Sequence, residues 1–185
     1  MRLDEIVSDY IREYRDEARK ETRFFEIQRR PSEAIRWAAL CELPSGKRHP
    51  HQRRIPSALL EQVEARLQAT GRSLAKAPDF AALHRRVEEQ IGGIKGVGDL
   101  TVYDIADRIG AYFGKAPERV YLHAGTRIGA RAFDIRGDLF DPKILPQPFS
   151  RLAPSEIEDC LCIYKDELRD GHGRNRRHKS GAVLQ

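Results

Sequence analysis

The chain has 185 residues and a formal net charge of +5 at pH 7, with 40% hydrophobic and 33% charged residues. This length suits one domain or one domain with an appendage. The composition excludes a membrane-spanning protein, because no apolar run approaches the roughly 20 residues that a spanning helix needs. The first ten residues mix both charges and lack the apolar region of a signal peptide. We therefore expect a cytoplasmic protein with no membrane partner, while the sequence indicates no oligomeric state.

Apolar residues recur at helical spacing along most of the chain. Several of these stripes follow a proline with serine or aspartate, which is typical of a helix start. They predict an all-α fold, a compact multi-helix domain, with helices at residues 3–27, 32–42, 57–69, 79–92, 99–113 and 155–169. The charged residues of the first helix are interpreted as a solvated face. Residues 118–133 are expected to form a further pair of helices or a turn and a helix, and no segment shows a convincing strand pattern.

Positive charge is concentrated in two short polar segments. Residues 46–54, here called the basic loop, contain no acid and four cations: Lys47, Arg48, Arg53 and Arg54. Residues 171–179 also contain four cations and no acid, so the remainder of the chain has a net charge of −3. Such segments are plausible contacts for a polyanion. We expect a single helical domain over residues 1–170, followed by a basic flexible tail at 171–185.

The sequence predicts neither a metal site nor a cofactor. Cys41, Cys160 and Cys162 form no disulfide framework and are interpreted as buried free thiols. His49 and His51 are two residues apart in the basic loop, where neighbouring arginines oppose a cation. No nearby cysteine or carboxylate completes a ligand set around these histidines.

Residues 91–113 predict the end of one helix, a tight glycine turn and a second helix. Gly96 and Gly98 can adopt backbone conformations that are closed to other residues. Ile94 and Val97 can anchor the turn in the core. The second helix begins directly after Gly98, with its unpaired backbone N–H groups facing outward.

This pattern resembles the helix-hairpin-helix motif of DNA-binding proteins. In that family an apolar residue, any residue, glycine, an apolar residue and glycine precede a helix, and five residues here match: Ile94, Lys95, Gly96, Val97 and Gly98. The resemblance implies that the hairpin and the helix N-terminus contact a DNA phosphate through backbone N–H groups. A helix N-terminus favours anions, and Lys95 would add a cation. Because Gly-x-Gly also joins helices elsewhere, a plain structural turn remains the alternative.

The hairpin is also similar to that of the helix-hairpin-helix DNA glycosylase superfamily, which would imply a DNA-repair activity. Many members carry a catalytic lysine two residues after the second glycine, where this chain has Leu100. Their catalytic aspartate would fall at Glu118 by ungapped counting, or near His123 in another alignment. Whether the protein is an enzyme therefore stays an open question, and the absence of enzymatic activity is favoured. Glu118 and His123 are the catalytic candidates if the protein is an enzyme. Three carboxylates of the second helix are interpreted as solvated charges: Asp99, Asp104 and Asp107.

Taken together, these patterns predict a protein that binds the DNA phosphate backbone with little sequence specificity. Arg127 and Arg131 are four residues apart and share a predicted helix face. The expected DNA contacts are Lys95, Gly96, Val97, Gly98, Lys47, Arg48, Arg53, Arg54, Arg127 and Arg131. The alternatives are a glycosylase-like base-excision enzyme and a helical module whose hairpin binds another protein.

Overall fold

The computed structural model describes residues 1–43 and 45–170. Helices dominate these residues, so the predicted all-α fold class is confirmed. None of the helices in this part of the chain is long and apolar enough to cross a membrane. The predicted flexible tail lies outside the described residues. The chain divides into two compact units: a terminal unit of Met1–Asp16 with the chain from Glu118 onward, and a central unit, Glu17–Pro117. Whether residues 1–170 fold as a single domain stays a prediction.

The predicted helix at residues 3–27 is interrupted at Tyr14. Helix α1 spans Leu3–Glu13 and helix α2 spans Arg15–Glu26, with Tyr14 at φ −121° between them. The apolar residues of α1 lie in the core of the terminal unit, whereas Phe25 of α2 is buried in the central unit. The apolar stripe shows which residues are apolar but does not show which core they enter. The sequence spacing therefore predicts one continuous helix.

The central unit is a cluster of helices with short connections. Its elements after α2 are α3 (Pro31–Leu40), α4 (Ser57–Ala69), α5 (Gly71–Ala75), α6 (Phe80–Ile91) and α7 (Asp99–Tyr112). Helix α3 packs on α4 and α7, and α6 packs on the same two helices. The shared core includes Ile35, Leu60, Val63, Leu67, Leu83, Val87, Ile91, Ile105 and Ile109. Four of these helices agree with the predicted ranges to within two residues, while the short α5 was not expected.

The terminal unit adds a small sheet to its helices. Strand β1 (Val120–Tyr121) pairs antiparallel with β2 (Leu139–Phe140), and α8 (Ala124–Ala130) follows β1. Helix α9 (Pro154–Ile163) ends before Tyr164, and residues 165–170 are helical again. The predicted pair of helices, or turn and helix, at residues 118–133 is therefore wrong at β1. A two-residue strand exists only through its pairing with a distant partner, so no local alternation indicates it.

Two glycines bring α8 against α9. A Cβ atom at Gly129 would overlap the carbonyl group of Leu161, and one at Gly125 would overlap the Sγ atom of Cys162. Glycine is required here because only hydrogen at this position leaves room for the second helix. The core beneath this contact also includes residues of α1, β1 and the 3₁₀ turn at 147–151.

Candidate functional site

The turn between α6 and α7 is closed by backbone hydrogen bonds. The N–H of Ile94 donates to the carbonyl of Ile91, and the N–H of Val97 donates to the carbonyl of Ile94, both at 3.0 Å. Gly96 occupies the third position of the four-residue turn at 94–97 and has a φ of +101°. A type II turn requires such an angle at that position, and glycine adopts it without strain. Ile94 is buried and anchors the turn, as the sequence predicts, whereas Val97 is only half-buried.

Helix α7 begins at an exposed glycine. Gly98 is the N-cap residue, with φ −104° and ψ 170°, and offers no side chain to cap the first turn. Lys95, in the turn, is also exposed. A Cβ atom at Gly98 would meet no heavy atom within 4 Å, whereas one at Gly96 would lie 3.2 Å from Cδ2 of Leu59. Gly98 therefore borders open space, and Gly96 packs on α4.

The basic loop is tied to the part of α4 that contacts the turn. Arg48 donates from Nη1 to the carbonyl of Ile55 at 2.7 Å and from Nη2 to Oγ of Ser57 at 3.0 Å. Ser57 and Leu59 both lie in the first turn of α4, and Leu59 lies against Gly96. The end of the basic loop and the glycine turn are thus neighbours within the central unit.

The four predicted cations of the basic loop differ in their exposure. Lys47, Arg53 and Arg54 are exposed, so their charges can reach a ligand in solvent. Arg48 is half-buried, and its guanidinium group is held by the hydrogen bonds to Ser57 of α4 and to Ile55, two residues before that helix. Its main contribution within the described residues is to fix the loop.

Beneath the basic loop lies a partly buried polar cluster that sequence patterns do not indicate. Nε of Arg108 donates to Oε1 of Glu21 at 3.1 Å, and Nε2 of His49 lies 3.2 Å from Oε2 of the same carboxylate. Burial raises the pKa of Glu21, but the hydrogen bond with His49 and the charge of Arg108 outweigh it and lower the pKa to about 2. The carboxylate is therefore ionised at neutral pH.

A second arm of the same cluster joins the basic loop to α7. Gln52 is fully buried, and its Nε2 donates to Oδ2 of Asp104 at 2.5 Å. The interpretation of Asp104 as a solvated charge is therefore wrong. Its helical position alone does not reveal this, because the buried donor comes from a loop about fifty residues earlier in the chain.

Arginines of the terminal unit line an open cavity of about 980 Å³. Its walls bring the predicted residues Arg127 and Arg131 together with Arg136 and Arg169. Part of this charge is compensated, since Nη2 of Arg127 lies 2.8 Å from Oδ1 of Asp138, and Arg169 is paired with two aspartates. Arg131 and Arg136 are exposed. The cavity can accept an anion, but it belongs to a different unit from the hairpin.

The two catalytic candidates lie in the terminal unit in different environments. Glu118 is exposed, and His123 is buried as the N-cap residue of α8. Neither residue lines the arginine cavity. Leu100, which occupies the position of the glycosylase lysine, lies in the first turn of α7 in the central unit.

The cysteines follow the sequence prediction in part. Cys41 and Cys160 are buried, and burial raises their thiol pKa to about 11 and about 12, respectively. Cys162 is only half-buried, so the expectation of three buried thiols is wrong at this position.

Two features of the described residues can meet an anionic ligand. The first is the glycine turn at the start of α7 with the neighbouring basic loop, and the second is the arginine cavity of the terminal unit. Comparison of the chain with protein-family models, with curated proteins and with solved structures gave no match.

Proposed function

We propose that this protein binds DNA through its phosphate backbone, with little sequence specificity, and that the turn at residues 94–98 acts as a helix-hairpin-helix motif. The proposal includes a cytoplasmic location. The observation that carries it is the uncapped, exposed start of α7 at Gly98, two residues after a glycine with a positive φ and three after the exposed Lys95. A phosphate oxygen is the kind of acceptor that suits such a helix start.

The basic loop supports the same surface. It ends shortly before α4, whose residue Leu59 lies against Gly96. Its exposed cations Lys47, Arg53 and Arg54 belong to the same unit as the turn. Contacts from these groups would go to phosphates, which are alike in every sequence. Low specificity and strong salt dependence follow from that chemistry.

One residue opposes this mode of binding and provides a test of it. Asp99 is exposed and occupies the first position of α7, where a carboxylate interacts favourably with the helix dipole. The same charge would repel a phosphate that approaches Gly98. We expect Asp99→Asn to increase affinity for DNA, and an unchanged or reduced affinity would contradict phosphate binding at this helix start.

The central experiment compares two exposed glycines on either side of the turn. Gly98→Ala and Gly93→Ala each add a methyl group that meets no heavy atom within 4 Å, so both variants should fold. Only the methyl at Gly98 obstructs the start of α7. We expect Gly98→Ala to weaken DNA binding about tenfold or more, as loss of a charge-assisted hydrogen bond does, and Gly93→Ala to bind like the wild type. Gly96→Ala is unsuitable, because its positive φ and the contact with Leu59 would disturb the fold.

Cation substitutions then define the footprint. Lys95→Ala should reduce the slope of log affinity against log salt by about one unit on duplex DNA, equally for different sequences. Arg53→Ala tests the basic loop, and Arg131→Ala tests the arginine cavity. If Gly98→Ala binds like the wild type while Arg53→Ala loses affinity, the hairpin is only a turn. If the wild type shows no salt-sensitive affinity for single-stranded, duplex or abasic DNA, the proposal fails and a protein-interaction module takes its place.

A further inference from the structure

Three side chains of the central unit come together although they are far apart in the sequence. His49 and His51 of the basic loop and Asp104 of α7 present ligand atoms that all lie within 4.8 Å of one another. Imidazole nitrogen and carboxylate oxygen are the ligands of many zinc and other transition-metal sites. The sequence-based expectation of no metal assumed that no carboxylate lies near the histidines, and Asp104 removes that argument.

His49 has the hydrogen-bonding arrangement of a metal ligand. Its Nε2 lies 3.2 Å from the ionised carboxylate of Glu21, so this nitrogen carries the proton and donates it. Its Nδ1 is then a lone-pair donor, and this atom is buried without a hydrogen-bond partner. A carboxylate that holds one ring nitrogen while the other faces the metal is a recurrent feature of metal sites.

The surrounding charges permit a cation. Glu21 and Asp104 carry two negative charges, and Arg108, which is bonded to Glu21 and also interacts electrostatically with Asp104, offsets one of them. Arg48 is held on the carbonyl of Ile55 and the hydroxyl of Ser57. The exposed Arg53 is a positive neighbour on the same loop and repels a cation. Affinity for a metal ion must therefore come from direct bonds to the ligand atoms.

We propose that His49, His51 and Asp104 bind one divalent transition-metal ion, of which Zn²⁺ is the representative, with Glu21 as a positioning residue for His49. Zinc lies about 2.0–2.1 Å from such ligands, which places tetrahedral ligand atoms about 3.3 Å apart. The ligand atoms lie within 4.8 Å of one another, and rotation of the exposed His51 side chain brings them to the shorter separation that the metal needs. Three protein ligands leave a fourth position for water, and the ion links the basic loop to α7.

The test is a Zn²⁺ titration of the untagged full chain after chelator treatment, followed by calorimetry, with Co²⁺ absorption as a second signal. We expect one equivalent of metal to bind. His51→Gln should weaken binding at least tenfold, and because His51 is exposed, the fold should survive. Arg53→Gln, an exposed substitution in the same loop, is the matched control and should leave affinity the same or slightly higher. Glu21→Gln should weaken binding about 10- to 100-fold.

The proposal would be overturned by a wild-type chain that binds no Zn²⁺ or by a His51→Gln variant that binds like the wild type. The tail also contains His172 and His178, which lie outside the described residues, and a variant with both replaced by alanine should retain full affinity. Loss of binding in that variant would assign the metal to the tail instead. These measurements use no DNA, so their outcome is independent of the proposed function.

Discussion

The ion pair between Glu21 and Arg108 makes a sharp prediction about the stability of the central unit. The side chain of Arg108 is only 8% exposed, and that of Glu21 is 28% exposed. Glu21→Gln keeps the size of the side chain but removes the charge that compensates the buried guanidinium. Breaking a buried pair on one side costs about 3–5 kcal/mol. Because Glu21 keeps partial contact with solvent, we expect a loss near the lower limit, about 3 kcal/mol.

The same substitution at Glu17 is the matched control. Glu17 lies one turn earlier in α2 and pairs with Lys20 at 3.2 Å, but the two side chains are 82% and 73% exposed. Exposed pairs contribute little, so Glu17→Gln should change the free energy of unfolding by less than about 0.5 kcal/mol.

Urea unfolding in the presence of a chelator measures both variants without a contribution from bound metal. Trp37 reports on the central unit, since its ring lies 5.4 Å from that of Phe24 between centroids. With a slope of about 2 kcal/mol per molar urea, Glu21→Gln should lower the midpoint by about 1.5 M. Equal midpoints for the two variants would show that the Glu21 carboxylate does not compensate a buried charge, and the reasoning would be refuted.

Two further predictions concern the terminal unit and the thiols. Gly129→Ala should destabilise the protein by about 1–3 kcal/mol or more, because its methyl group overlaps the carbonyl of Leu161. Gly93→Ala, whose methyl group meets no heavy atom within 4 Å, should change stability far less. Thermal unfolding followed by circular dichroism compares the two variants, and equal losses of stability would contradict the close packing of α8 on α9. A thiol reagent at pH 8 should label Cys162 in the native protein, while Cys41 and Cys160 react only after unfolding because they are buried and their pKa is raised. Rapid native labelling of all three thiols would disprove this.

The helices of the central unit were predictable because their signals are local. Backbone hydrogen bonds in a helix join residues four apart, and apolar stripes repeat over the same distance. Asp79, which follows Pro78, illustrates this, since its side chain accepts the N–H of Ala82 at 2.7 Å and caps α6. The glycine turn was predictable for the same reason, because the conformation of Gly96 is restricted by its own backbone.

The sequence by itself therefore determined the helical class, most helix positions and the turn before α7, and it located four cations in the basic loop without indicating which of them are exposed. Only the tertiary structure decided which core each half of the first helical stretch enters and that β1 pairs with β2. It also brought Asp104 to the two histidines of the loop and Glu21 to Arg108. These contacts join residues dozens of positions apart, and charged residues on a helix carry the same local pattern whether they face solvent or a buried partner.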